Sequence, residues 1–337
     1  MQEPVTEGGA TAVAQPNIAL IKYWGKRDEQ LFIPMTSSLS MTLDIFRTTT
    51  TVRLGTEADV DSVALNGKAA SGEAERRVLV FLDLVRELAG RKERAVVDTH
   101  NEAPTGAGVA SSASGFAALA LAASAAYGLD LDARALSRLA RRGSGSASRS
   151  VYGGFVQWHK GQGEGADADL SSYAEPVPVG DIDPALVIAL VDGGPKSVSS
   201  RAAMRSTVDT SPLYQGWADS SEGDLTEMRR ALSRGDFEAV GEIAERNALG
   251  MHATMLAARP AVRYLSPATV TVLDRVLQLR ADGIPAYATM DAGPNVKVLC
   301  RRADADRVAE AVREAMTAGS VVVAGSGPGA RLLTEGG

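Results

Sequence analysis

The stretch NIALI, Asn17 to Ile21, is uncharged and mostly apolar, and it reads as the inner run of a buried strand. Lys22 follows it at once, and Tyr23, Trp24, Gly25, Lys26 and Arg27 come next. A solvated strand end accounts for one or two of these cations. A site for a strongly anionic ligand accounts for all three.

The ligand has to be small. The chain carries 35 basic and 41 acidic residues, a formal net charge of -6, whereas nucleic-acid binding calls for a clustered basic excess. Nucleic acid is therefore not an expected partner. The 337 residues and 45% hydrophobic content allow a substantial core and predict two domains. Cys300 is the single cysteine, which excludes an intrachain disulfide framework and fits a reducing cytosol. His100, His159 and His252 are the only histidines, too few for a His/Cys metal cage. The N-terminal MQEPVTEGGATAVAQP has no basic region leading into an apolar one, and FAALALAASAAYGL is too short and alanine-rich to span a bilayer. The expectation is a soluble, cytoplasmic protein with no membrane association.

Phe46–Gly55 is β-branched and roughly alternating, and DSVALNGK ends in the turn pair Asn66-Gly67, so together they predict a hairpin-like β region. Apolar residues at helical spacing predict a helix over Glu73–Ala89. A short strand is expected at Ala95–Asp98, an alanine-rich helix from about Ser112 to Tyr127, and a basic helix from Asp132 to Arg142. PALVIALVDGG, from Pro184, is another buried-strand candidate. Beyond it, long amphipathic helices are expected from about Leu225 to Ala248 and from Pro267 to Asp282, with a further helix at Asp304–Ala318. AYATM and VKVLC are strands flanking DAGPN, and SVVVAG is a last strand. Strands and helices follow no regular βαβ alternation, which predicts α+β layers rather than a doubly wound sheet. The domain boundary falls near residue 185, dividing the chain into 1–185 and 186–337.

Three loops can carry chemistry. In APTGAGVASSASG, Gly106 and Gly108 let the backbone approach a ligand, and Ser111, Ser112 and Ser114 open a helix whose first N–H groups have no intrahelical partner. Such a terminus suits a phosphate, although a serine cap on a flexible turn has the same pattern. Neither G-x-x-x-x-G-K-[ST] nor G-x-G-x-x-G is present. In RRGSGSASRSVYGGF, Arg149 offers a planar fork for a carboxylate or phosphate, and Ser144 and Ser146 offer hydroxyls. A polar linker is the plainer reading. In TMDAGPNVKV, Asp291 lies between strands, where an Asx turn is its usual role.

Taken together, NIALIKYWGKRDEQLFIPMTSSLS, PTGAGVASSASGFAAL, RRGSGSASRSVYGGF, VSSRAAMRSTVDTSPLY, NALGMHATML, YATMDAGPN and GSGPG resemble the diphosphomevalonate decarboxylases of the GHMP kinase superfamily. The glycine/serine loop alone marks the superfamily; NIALIKYWGKRD with MDAGPN separates the decarboxylases from its small-molecule kinases. Gly106 and Val109 stand where the family has alanine and leucine, and the region before GSGPG is shorter. The resemblance implies an α+β GHMP kinase fold, with an N-terminal ribosomal-protein-S5-domain-2-like layer and a ferredoxin-like C-terminal layer. It also implies a homodimer.

The activity it implies is phosphorylation of the 3-hydroxyl of mevalonate 5-diphosphate by ATP with Mg²⁺, then loss of phosphate and carbon dioxide to give isopentenyl diphosphate. On this pattern Asp291, Lys22 and Arg149 are catalytic, Arg149 holding the substrate carboxylate with help from Asn17. Tyr23, Lys26, Ser144, Gly145 and Ser146 take the diphosphate, and Ser199, Ser200 and Met204 complete the substrate side. Pro104, Thr105, Gly106, Ala107, Gly108, Val109, Ala110, Ser111 and Ser112 form the ATP loop, with Ser112 toward the metal. Arg27 reads as a solvated charge, His252 as a packed residue and Cys300 as a small core residue. Neighbouring readings are a mevalonate 3-kinase that stops at phosphoryl transfer, a decarboxylase of mevalonate 5-phosphate, and a metabolite-binding protein without turnover.

Overall fold

The computed structural model describes residues 8–55, 60–103, 111–191 and 198–334. Among these, the strands form one six-stranded sheet, two four-stranded sheets and a two-stranded ribbon. Ser62–Leu65 against Arg94–Asn101 is the parallel pair; the other named pairs are antiparallel. These are the α+β layers expected from the sequence. No helix among the described residues is long and apolar enough to cross a membrane.

In the six-stranded sheet, Thr48–Gly55 is flanked by Gly9–Ala14 on one side and Arg94–Asn101 on the other. Both its edges are taken, so it cannot form a hairpin with Ser62–Leu65, as the sequence reading had it. Ser62–Leu65 instead joins the far edge of Arg94–Asn101 and turns at Asn66-Gly67 onto Lys68–Ala69. The alanine-rich helix, Ser111–Ala126, lies on this sheet with Ala117, Ala118, Ala120, Ala122 and Ala123 all buried. A helix enclosed on every side needs apolar residues all round, and alanine lets the backbones approach closely. The end of the chain returns here, because Arg331–Leu333 pairs with Gly9–Ala14.

Asn17–Ile21 pairs with Ser38–Thr42 in a four-stranded sheet. One face of this pair, with Ile18, Leu20, Leu39 and Met41, packs into a core shared with the helices of the second half and with Leu186 and Ile188. The opposite face presents Asn17, Ser38 and Ser40, all buried. The strand Pro184–Leu190 is central in the last sheet, between Val296–Arg301 and Ser320–Gly325. Its Ala185, Val187 and Ala189 face a second core, so both faces are apolar and no polar alternation survives.

The single long helix expected from Leu225 to Ala248 is two helices, Tyr214–Arg234 and Phe237–Leu256. Gly235 takes a left-handed φ of 71°, its N–H reaching the Ala231 and Leu232 carbonyls, and the Asp236 side chain then accepts from the Ala239 N–H. The apolar period runs through the break, which hid it. The pair folds back on itself, with Asn247 donating to Ser221 Oγ and Asp224 Oδ2.

Leu186 lies in the core that the two halves share. Leu186→Ala is expected to cost about 2–5 kcal/mol through lost transfer energy and the cavity left behind. Urea unfolding checks this as a lowered midpoint.

Candidate active site

The loop DAGPN joins Ala286–Met290 to Val296–Arg301 and is held at three points. The Gly293 N–H donates to the Asp291 carbonyl (2.8 Å), Thr269 Oγ1 donates to the Pro294 carbonyl (2.7 Å), and Asn295 Oδ1 accepts from the Val191 N–H (3.0 Å). This fixes Asp291 between two lysines. Its Oδ1 lies 2.8 Å from Lys22 Nζ and its Oδ2 3.1 Å from Lys297 Nζ. Lys22 is set where Asn17–Ile21 ends: its N–H donates to Asn247 Oδ1 and its Nζ also to the Ala19 carbonyl, each at 2.8 Å. The lysine side chains are 2% exposed and that of Asp291 31%, so the carboxylate is the member of the trio that reaches open space.

Burial raises the Asp291 carboxyl, but the Lys22 and Lys297 charges outweigh it and hold the group well below the usual carboxylate range. Burial lowers Lys22 to about 8, against the opposing pull of Asp291. His252 packs beside the trio, as expected of a buried residue. Burial first, and Lys22 next, push it down to about 4, so it is neutral near pH 7.

Arg149 is buried by a polar cradle. Its Nη1 donates to Ser38 Oγ (2.6 Å), its Nε to Ser40 Oγ (2.9 Å) and its Nη2 to Asn17 Oδ1 (3.2 Å). Asn17 is turned in place by donating to the Ser146 carbonyl (3.0 Å) and Ser150 Oγ (2.7 Å). A guanidinium has five donors, so among the described residues each terminal nitrogen keeps an N–H beyond these bonds. Burial lowers Arg149 to about 10, which leaves it charged at neutral pH.

Tyr23 meets Trp158 edge-on at 4.8 Å between centroids, and its hydroxyl is buried without a partner among the described residues. Gly145 permits this approach, because a Cβ there would come within 2.8 Å of Trp158 and 2.9 Å of Tyr23. Ser144 Oγ lies 3.3 Å from Ser112 Oγ and 3.4 Å from Ser146 Oγ, so one row of hydroxyls joins the start of the alanine helix to the Arg149 segment. Lys26 pairs with Glu29 at 2.6 Å above the Phe32 ring. Ser199 caps the helix Ser200–Thr210 through the Ala202 N–H, and Met204 lines a pocket of about 190 Å³ with Lys26, Glu29, Arg205, Val208 and Asp209. Ser200 opens that helix.

Pro104 to Ala110, most of the expected ATP loop, lie outside the described residues. Ser111 and Ser112 are exposed at the first turn of a 16-residue helix. Hydroxyl oxygens suit Mg²⁺, and the terminal N–H groups suit a nucleotide phosphate, so this end fits both. Arg27 is exposed and donates to the Lys160 and Gly163 carbonyls, apart from the trio. Cys300 is buried inside Val296–Arg301, as expected of a small core residue.

Sequence reasoning missed Lys297, Ser38, Ser40 and Asn247. The signal for Lys297 was a lone charge inside the apolar strand VKVLC. For the serines it was their alternation with Leu39 and Met41.

Two family models match the chain: the diphosphomevalonate decarboxylase-like N-terminal domain over residues 14–174, and the mevalonate 5-diphosphate decarboxylase C-terminal domain over residues 186–325. The chain belongs to the diphosphomevalonate decarboxylase family. Its layers are those of the GHMP kinase fold. The diphosphomevalonate decarboxylase of Homo sapiens is 37% identical over 309 residues, covering 86% of this chain and 76% of the human protein. The phosphomevalonate decarboxylase of Haloferax volcanii is 35% identical over 306 residues, covering 90% of this chain and 92% of the archaeal one. A solved structure of MDDEF in complex with MVAPP, AMPPCP and magnesium matches with a TM-score of 0.91 at 46% identity, covering 97% of this chain and 99% of that one.

Ser38→Ala combined with Ser40→Ala removes two acceptors from a buried guanidinium. The expected loss is about 1.5–3 kcal/mol per bond to the charged group. Urea unfolding against each single variant checks it.

Proposed function

We propose that this protein converts mevalonate 5-diphosphate and ATP into isopentenyl diphosphate, ADP, phosphate and carbon dioxide. The observation that carries the reading is Asp291 held between Lys22 and Lys297, with Arg149 buried nearby, in a chain of this family. ATP, with Mg²⁺, supplies the phosphoryl group that turns the substrate's 3-hydroxyl into a good leaving group.

The residues' own parts follow from their charge and setting. Asp291 stays ionised and reaches the open side, so it accepts a hydrogen bond from the 3-hydroxyl and orients it. When phosphate leaves the tertiary carbon, the same carboxylate faces the positive charge that develops there. Lys22 is mostly protonated at neutral pH and offsets charge on the transferring phosphoryl oxygens. The free N–H groups of Arg149 take the substrate carboxylate as a fork and hold it aligned for carbon dioxide loss. The bond that joins the carboxylate to its neighbouring carbon then breaks, carbon dioxide departs, and that bond's electron pair forms the double bond to the cationic carbon. Alignment of this kind can contribute about 7–11 kcal/mol.

Tyr23, Lys26, Ser144 and Ser146 are assigned to the 5-diphosphate, with Gly145 making room. Ser111 and Ser112 are assigned to the nucleotide phosphates, with Ser112 toward Mg²⁺. Ser199, Ser200 and Met204 border the substrate side. The buried single cysteine supports a reducing, cytoplasmic setting.

A second reading, decarboxylation of mevalonate 5-phosphate, is favoured by the Haloferax relative. Carbon dioxide and ADP release, assayed with the mono- and diphosphate side by side, separates the two. Faster turnover of the monophosphate would overturn the diphosphate assignment, and ADP release without carbon dioxide would reduce the protein to a kinase.

Asp291→Ala is expected to abolish product while ATP affinity stays within about a few-fold, because it acts on the hydroxyl and the cationic carbon. Arg149→Leu should lower kcat more than nucleotide binding; equal losses in both would mark a structural role. Since the Lys22 ammonium is required and its pKa is lowered to about 8, kcat should fall as pH rises through that value. A pH–rate profile checks this.

A further inference from the structure

Lys297 stands in the middle of an apolar strand, opposite Thr289 on one neighbour and Ile188 on the other. An ammonium there is costly, and an apolar side chain of the same length on the face that Leu299 and Ile188 share would carry no such cost. Its described contacts are Asp291 Oδ2 at 3.1 Å and the Asn295 carbonyl at 3.5 Å. Nothing about the fold calls for a charge at this position. The carboxylate it meets is the one already paired with Lys22.

We propose that Lys297 is a positioning residue for the reaction: by occupying Oδ2 of Asp291 it divides one carboxylate between two ammonium groups, so that Lys22 never holds an exclusive ion pair. This rests on the function proposed above and adds to it the device that sets the reactivity of Lys22. An ammonium locked to a private carboxylate turns away from phosphoryl oxygens only at the full cost of that pair. One that shares its partner with a competitor is freer to do so. Lys297 also fixes which oxygen of Asp291 faces Lys22, since the two nitrogens approach different oxygens.

The alignment is built by both halves of the chain. Thr289, the cross-strand partner of Lys297, donates its hydroxyl to the Ala19 carbonyl at 3.4 Å, and that carbonyl also accepts from Lys22 Nζ. Among the described residues, the charged and titratable groups around Lys22 are Asp291, Lys297, Arg149 and His252, and His252 is neutral near pH 7. Asp291 is the only anion among them. Lys297 and Arg149 both disfavour the Lys22 proton, and removal of Lys297 therefore raises the Lys22 pKa.

The test is the pH–rate profile of Lys297→Gln and Lys297→Arg, each with ATP and the mevalonate phosphate that the unsubstituted protein turns over. Lys297→Gln is expected to lower kcat and to move the alkaline limb upward by about one pH unit. Lys297→Arg should restore the limb to its original position. Nucleotide affinity should stay unchanged in both. A folded Lys297→Gln protein with an unmoved alkaline limb overturns the proposal, whether or not kcat falls. If circular dichroism shows that Lys297→Gln does not fold, Lys297→Met is read in the same way. Absence of carbon dioxide release from the unsubstituted protein would defeat the proposed function itself; normal release with an unmoved limb defeats only the role of Lys297.

Discussion

One carboxylate held by two buried ammonium groups is the constraint on which the rest of the structure depends. Lys22 leaves the end of a strand in the first half, whereas Lys297 and Asp291 come from the last sheet. Taking an ammonium out of water costs several kcal/mol, so each lysine is tolerable only while Asp291 stays in place. The two halves must therefore keep their relative position closely. The shared core, where Ile18 and Leu20 meet Leu186, Ile188 and the helix Phe237–Leu256, does this with rigid apolar packing.

Polar groups behind the trio carry the same requirement outward. Asn247 accepts from the Lys22 N–H and donates to Ser221 and Asp224, which ties the strand end to the folded-back helix pair. Asn17, Ser38 and Ser40 hold Arg149 from the face of the sheet that does not enter the shared core. Each of these hydrogen bonds ends on an element that packing has already fixed. Asp291 keeps a partly exposed edge beyond these contacts.

Much of this was legible in the linear order of residues. Apolar runs marked the strands at Asn17 and Pro184, and the spacing of apolar residues marked most helices. Where the reading failed, the cause was local chemistry or a distant neighbour. Gly235 and Asp236 stop one helix and start another without interrupting the apolar period. Thr48–Gly55 could not be recognised as a central strand because its partners, Gly9–Ala14 and Arg94–Asn101, lie far away in the chain. Lys297 looked like an ordinary strand residue, since its partner is identifiable only once Asp291 has been placed.

By itself, the sequence determined most of the elements and the anionic character of the ligand, while its motifs carried the resemblance to the family. Those depend on residue type and short-range spacing: a lysine after a buried strand, glycines before an alanine helix, an aspartate in a Gly-Pro turn. The tertiary structure alone decided which cation meets which oxygen of Asp291, which serines cradle Arg149, and where the last strand returns. Except for Lys297, which lies on the strand that follows Asp291, these are contacts between residues far apart in the chain, set by the packing of whole sheets and helices, and no local pattern encodes them.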